Sequence, residues 1–310
     1  MKRFKNILYV LDQKSLAKGA SAGKVAALAR LNDARVTALL LDDVGHYDIL
    51  SKKLTGKYEK VQEMIKEDHA KNLNQYFSSE LWDNINVELD LSPTSGFIPV
   101  IQKVLRDKHD LVIKEDSRKK GIDQFTMRLV RKCPCPVWVI KQSAGDFKRI
   151  LAAVDLEANY PETEALNQKI IELTHSLAQR EQGEAHYVNC WRLEFESWLS
   201  SPRFKLSPEE IISMKSDIST ERREQLLQLL QKNTIHCKED QIHILEGLFL
   251  DVIKNAISNL RIDLVVMGSV GRSGIPGFLI GNRAEKLLNS ITCSALTVKP
   301  DGFVSPVTLD

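Results

Sequence analysis

The chain repeats itself. Phe4, Lys5, Ile7, Leu8 and Asp12 return as Phe147, Lys148, Ile150, Leu151 and Asp155, each 143 positions later. Asp110, Leu111 and Val112 return as Asp263, Leu264 and Val265 at an offset of 153, and Cys135 and Lys141 return as Cys293 and Lys299 at 158. The order of the segments is kept, while the first copy is five residues shorter between the last two. A structural unit written twice constrains the fold more than any composition does. The join falls near residues 141–146, which sets the expected domains at 1–143 and 144–310. A length of 310 residues fits two domains of ordinary size.

Each unit reads as strand, helix, strand, long helix, strand, helix, strand, helix, strand. Residues 150–154 and 263–267 are short apolar runs without a solvated face, as strands of a parallel sheet covered on both sides must be. Leu166, Ile170, Leu173 and Leu177 recur at three- and four-residue spacing, which predicts a helix across 162–179. Ser207, Pro208 and Glu210 spell a capping box with proline in the first turn. The helix they open carries Ile211, Met214, Ile218, Leu226 and Leu230 on one side, interrupted by Arg222. In the first half Tyr58, Val61, Ile65, Leu73 and Tyr76 play the same part, with His69 expected at the boundary of the stripe. Strands alternating with helices predict an α/β fold of two tandem doubly wound domains, with ligands beyond the carboxyl ends of the strands.

Composition excludes several classes. Lys and Arg total 43 against 41 Asp and Glu, a net charge of +2 and not the basic excess of a nucleic-acid binder. Five cysteines in so long a chain make no disulfide framework and fit a reducing, cytoplasmic setting. The apolar run 7–11 is too short for a signal segment, and no run approaches the roughly 18 residues of a membrane span.

The chemistry concentrates after the fourth strand of the second unit. Gly268, Gly271, Gly274, Gly277 and Gly281 follow it, with Asn282 opening a helix. The spacing is neither a Walker loop nor a dinucleotide fingerprint. Glycines let backbone N–H groups approach an anion, and Gly281 is expected to use a backbone conformation that other residues avoid. A plain strand-to-helix connection is the competing reading, and the position at the end of a central strand favours a ligand.

Gly268, Gly271, Gly281 and Asn282 resemble the G-x-x-G-x9-G-[Ser/Thr] ATP motif of the universal stress proteins, and Asp155 and the strand 295–299 complete the match. Arg272, Ser273, Gly274 and Ile275, together with Arg131, Lys132, Cys133, Pro134, Pro136 and Trp138 and the Lys299–Asp301 ending, are similar to the tandem E-type subgroup of that family. The resemblance spans both units. It implies an adenine nucleotide α hydrolase-like, flavodoxin-like layout of five parallel strands per domain, in the order 3-2-1-4-5. It places Val154, Asp155 and the backbone at Cys190 around adenine and ribose. Met267, Gly268, Gly271 and Arg272 then face ribose and phosphate, while Gly281 and Asn282 hold the phosphates. Asn282 departs from the motif's hydroxyl, although its amide also donates. The implied cofactor is ATP or AMP, with Mg²⁺ if ATP, and the implied role is stress survival, including tolerance of DNA damage. The resemblance further implies an internal pseudo-dimer in which the fifth strands, 137–140 and 296–298, meet.

In the first unit the motif's place reads Lys114, Glu115, Asp116, Ser117, Arg118, Lys119, Lys120, Gly121. This predicts a solvated basic loop in a degenerate copy that serves packing, with Asp12 as a strand-end or capping residue. Cys133 and Cys135 are separated by one residue, which makes redox pairing awkward, and Cys135 and Cys293, at the same place in the repeat, are expected to be partly buried structural thiols. His236, Cys237 and His243 lie around an alternating strand and do not add up to a metal site. Trp191, Leu193, Phe195, Trp198, Leu199, Phe204 and Leu206 crowd one segment of a chain that is only 6% aromatic. They are expected to cap the core or the domain interface, and an apolar ligand pocket or partner surface is the alternative.

The expected activity is therefore binding and not catalysis, with one nucleotide in the second domain. The alternatives are a carrier or scaffold for an apolar or nucleotide-linked ligand beside residues 191–206, and a very slow ATPase. Partners are expected to be small molecules and the internal repeat, with a homodimer left open and neither nucleic acid nor a membrane span.

Overall fold

The computed structural model describes residues 3–42, 58–157, 160–201, 204, 206–269 and 281–309. The strands of the first half are β1 (Asn6–Leu11), β2 (Arg35–Leu41), β3 (Val87–Thr94), β4 (Leu111–Asp116) and β5 (Val137–Lys141). Those of the second are β6 (Arg149–Val154), β7 (Glu184–Trp191), β8 (Ile242–Glu246), β9 (Leu264–Gly268) and β10 (Ser294–Val298). All ten form one sheet in the order β3-β2-β1-β4-β5-β10-β9-β6-β7-β8. Each half thus has the expected order 3-2-1-4-5, and every pairing is parallel except that of β5 with β10.

The alternation of side chains explains the layers. Ile7, Tyr9 and Leu11 of β1 enter the core on one face of the sheet, and Leu8 and Val10 enter the core on the other. Each aliphatic side chain buried this way contributes roughly 1.5–3 kcal/mol. The first face is covered by α1 (Gln13–Lys18), α2 (Ala22–Asn32), α3 (Tyr58–Phe77), α6 (Pro161–Arg180) and α8 (Pro208–Lys232). The second is covered by α4 (Phe97–Asp107), α5 (Gln124–Lys132), α9 (Phe249–Asn259) and α10 (Asn282–Leu288). A short α7 (Glu196–Leu199) lies in the aromatic segment.

Local signals act as read. Ser207 Oγ accepts from the Glu210 amide at 3.2 Å, and Glu210 returns the bond to the Ser207 amide at 2.7 Å. Ile170, Leu173 and Leu177 are buried on α6. On α8 the buried stripe is Ile211, Leu226, Leu229 and Leu230, whereas Met214 is exposed. Arg222 interrupts the stripe because it reaches the backbone oxygen of Leu156 at 2.5 Å, tying α8 to the chain just past β6. His69 is no boundary residue. It is buried, with Nε2 2.9 Å from the Asp42 carboxylate.

The two halves meet through their fifth strands. Ala295 faces Val139, Leu296 faces Trp138 and Thr297 faces Val137. Trp138 packs on Phe147 at 5.6 Å between centroids, and the Lys24 ammonium lies 4.6 Å from the Phe147 ring. Both hydrophobic cores run across this seam without interruption, since each contains residues from both halves. The loop after β4 adds to the seam: the Gly121 amide donates to the Ile291 oxygen at 2.7 Å. No helix among the described residues is long and apolar enough to cross a membrane.

Candidate functional site

In the second half the chain leaves β6 and crosses to β7 on one side, and it later returns to β9 on the other side of β6. The carboxyl ends of β6 and β9 therefore flank a topological switch point, the place where open α/β sheets generally bind their ligands. Their register pairs Ala153 with Met267, which places Val154 and Asp155 beside Gly268 and Ser269.

The end of β6 is held from two sides. Asn167 of α6 accepts from the Asp155 amide at 3.0 Å and donates to the Asp155 oxygen at 2.6 Å. Asn189 of β7 donates to the Val154 oxygen at 3.1 Å. Asn189 is buried, and its Oδ1 finds no partner among the described residues. The Asp155 carboxylate accepts from the Glu157 amide at 3.1 Å, which turns the chain outward after the strand.

The end of β9 is closed differently. The buried Ser269 donates its amide to Val298 and accepts from the Gly281 amide at 2.9 Å. This bond brings the two ends of segment 270–280 together, so that α10 starts next to β9. Arg283 in the first turn of α10 lies 3.9 Å from the Glu157 carboxylate, which ties α10 to the β6 end as well. Cys190, near the end of β7, donates its thiol to the Gly247 oxygen at 3.4 Å. Burial pushes that thiol up to about 11, against the pull of nearby Arg283, so it stays protonated.

The structure thus gathers Val154, Asp155, Cys190, Met267, Gly268, Gly281 and Asn282 at one end of the sheet, while Gly271 and Arg272 lie outside the described residues. Two roles differ from expectation. A Cβ on Gly268 would stand 2.9 Å from Leu166 Cδ2, so this glycine makes room for α6. Gly281 has φ −61° and ψ 141°, open to any residue, so glycine is not required there by backbone conformation. Asn167, Asn189 and Arg283 escaped the sequence reading. For Asn167 the signal was present, as a polar residue on the buried face of an amphipathic helix.

The corresponding end of the first half is filled by its own side chains. Lys114, Glu115 and Asp116 are strand residues and buried, not part of a solvated loop; the exposed stretch begins at Ser117. Glu115 stands where the repeat has Gly268 and accepts from the amide of Ser21 at 3.0 Å and its hydroxyl at 2.7 Å. The Lys114 ammonium reaches Asp12 at 2.6 Å. Asp12 also caps α1 through the Ser15 amide at 2.8 Å, as a capping residue should. Burial raises the Asp12 pKa, but the Lys114 charge and the hydrogen bonds outweigh it and hold the carboxyl below its usual range.

The aromatic segment departs from its expected role. Trp191 is buried, but Phe195, Trp198 and Phe204 are 72%, 59% and 49% exposed and pack on one another instead of on the core. His243 pairs with His186 at 3.1 Å, and among the described residues no group of three or more ligand side chains could hold a metal.

The model of the universal stress protein family matches this chain twice, at residues 3–141 and 146–299. The chain belongs to the universal stress protein family. Universal stress protein E of Escherichia coli strain K12 is 32% identical over 229 residues, covering 69% of this chain and 68% of that protein. Universal stress protein E of Photorhabdus laumondii is 26% identical, with 99% and 98% covered. Among solved structures, a putative universal stress protein from Pseudomonas aeruginosa UCBPP-PA14 superposes with a TM-score of 0.70 at 21% identity, covering 97% of this chain and 95% of that one. The universal stress protein fold, in tandem, accounts for the whole sheet.

Proposed function

We propose that this universal stress protein is a stress-response protein that binds one adenine nucleotide, ATP or AMP, in a second domain spanning 144–310. The domain spanning 1–143 serves packing. The observation that carries this reading is the contrast between two equivalent strand ends. In the second half, Asp155, Gly268 and Gly281 converge at the switch point and no side chain extends from position 268. In the first, the carboxylate of Glu115 extends from the matching position and is bonded to Ser21. A buried acid there both occupies space and repels phosphate.

In this reading Asp155 and the backbone near Cys190 meet the nucleoside. The backbone at Gly281 and the amide of Asn282 meet the phosphates, with Gly271 and Arg272 contributing from the intervening segment. Mg²⁺ would accompany ATP through phosphate oxygens. Binding and not turnover is the role, and the exposed aromatic cluster is a separate feature.

The test uses Gly281→Val. Because the backbone there suits any residue, the variant should fold, and the branched side chain should obstruct phosphate alone. ATP affinity should fall at least about tenfold, which is roughly 1.4 kcal/mol, with adenosine affinity kept. Equal loss for both ligands, or loss for neither, would mean that Gly281 does not face phosphate.

A further inference from the structure

The seam between the halves holds a thiol pair that the nucleotide site does not use. Cys133 caps the carboxyl end of α5 with φ −66° and ψ 135°. Residues i and i+2 of extended backbone point to the same side, so Cys133 and Cys135 bring their sulfurs to 3.5 Å across Pro134. Lys299 arrives from the other half, at the end of β10, and donates to the oxygens of Val130 at 2.7 Å and Arg131 at 3.3 Å, on the last turn of α5. The repeat supplies an internal comparison. Lys141 holds the matching place in the repeat, but its ammonium stays in its own half, on the oxygens of Arg118 at 3.1 Å and of Gly121 and near Asp116, while only its backbone amide crosses to Ser294 beside Cys293; the counterpart of Cys133 is Ile291. A dithiol therefore exists on one side of the seam and a lone thiol on the other.

We infer that Cys133 and Cys135, although buried and against the expectation from their one-residue spacing, are a peroxide-oxidisable dithiol, a modification site at the junction of the two halves with Lys299 as its positioning residue. Burial alone would raise Cys133, yet the hydrogen bond with Cys135 and the charge of Lys299 bring it below the ordinary thiol range. Cys135 is raised by the same hydrogen bond and by burial. Cys293 without a second sulfur is pushed up to about 12 by burial. Of the two sulfurs, Cys133 is the one favoured to attack and Cys135 the one left to resolve.

The Cys133 thiolate attacks one oxygen of hydrogen peroxide, the O–O bond breaks, and hydroxide leaves with a sulfenic acid on Cys133. The Cys135 sulfur attacks that sulfur, the S–O bond breaks, and the sulfenic hydroxyl leaves as water with the Cys135 proton. The hydroxide regains the proton first lost by Cys133. Two thiols and one peroxide become one disulfide and two waters.

The full chain, reduced and freed of reductant, is exposed to hydrogen peroxide without denaturant, alkylated and digested with trypsin. Cleavage after Lys132 and Lys141 leaves both cysteines in one peptide, with Cys293 in another. That peptide should come out two hydrogens lighter and unalkylated, reverting with dithiothreitol, while Cys293 remains alkylatable. Cys135→Ser should leave a sulfenic acid on Cys133 that dimedone traps. Lys299→Met should slow disulfide formation about tenfold, the effect of one unit in the thiol pKa. The inference is overturned if Cys293 oxidises first, if the pair oxidises only in urea, or if dimedone finds no sulfenic acid in Cys135→Ser.

Discussion

Gly121 brings the loop after β4 against the second half, and Gly121→Ala measures that contact. Its φ of +66° lies in the left-handed region, where a residue with a Cβ costs about 1–2 kcal/mol. The new Cβ would stand 2.5 Å from the Asn289 oxygen and 2.9 Å from its carbonyl carbon, both backbone atoms that cannot rotate away. Moving them apart strains a packed seam, at a cost of about 1 kcal/mol or more. It also stretches the 2.7 Å bond from the Gly121 amide to Ile291, worth about 1 kcal/mol. The expected loss is about 3–4 kcal/mol. Gly302→Ala is the control, because Gly302 has φ +75° with nothing within 4 Å of the added carbon, and it should lose only the conformational part, about 1–2 kcal/mol. Urea unfolding of both variants, followed by tryptophan fluorescence, gives the difference directly. If Gly121→Ala costs no more than Gly302→Ala, the loop after β4 does not hold the halves together.

Acid should weaken the fold through His109. It is buried, and burial outweighs the nearby Asp107 charge to bring it down to about 4. The unfolded chain takes up that proton near pH 6.5, so the stabilisation is complete above pH 6.5 and is lost as pH falls toward 4, up to about 3 kcal/mol. The pH profile of the urea midpoint should be shallower over that window in His109→Gln. Cutting the chain near Ala144 should leave both fragments in one peak on size-exclusion chromatography, since β5 and β10 pair and both cores cross the seam. Separate elution as two stable monomers would refute the packing.

The repeat made the fold legible before any coordinate. Matching apolar strands in the same sequence order showed two copies of one α/β unit, while the order 3-2-1-4-5 and the meeting of the fifth strands came from the family resemblance carried by the glycine motif. The capping box at Ser207 was readable because its partners are three residues apart. What escaped was long-range. Lys114, Glu115 and Asp116 look like a solvated charge run, because nothing local shows that Glu115 will meet Ser21 or Lys114 will meet Asp12. Arg222 looked like a flaw in a stripe until its carbonyl partner at Leu156 was visible. Phe195, Trp198 and Phe204 look like core by residue type, yet they lie outside it because they follow the end of β7, beyond the helices that cover the sheet. At the candidate site, the glycine spacing did not show that Gly268 makes room for Leu166 or that Asn167 pins Asp155, since both contacts come from α6.

The most direct test of the account is isothermal titration of the full chain with ATP and Mg²⁺, and with AMP. One strand end with glycine at position 268 and one occupied by the Glu115 carboxylate predict a stoichiometry near one, abolished by loss of the second-half site alone. A reproducible value near two, or binding that survives in the first half by itself, would contradict it.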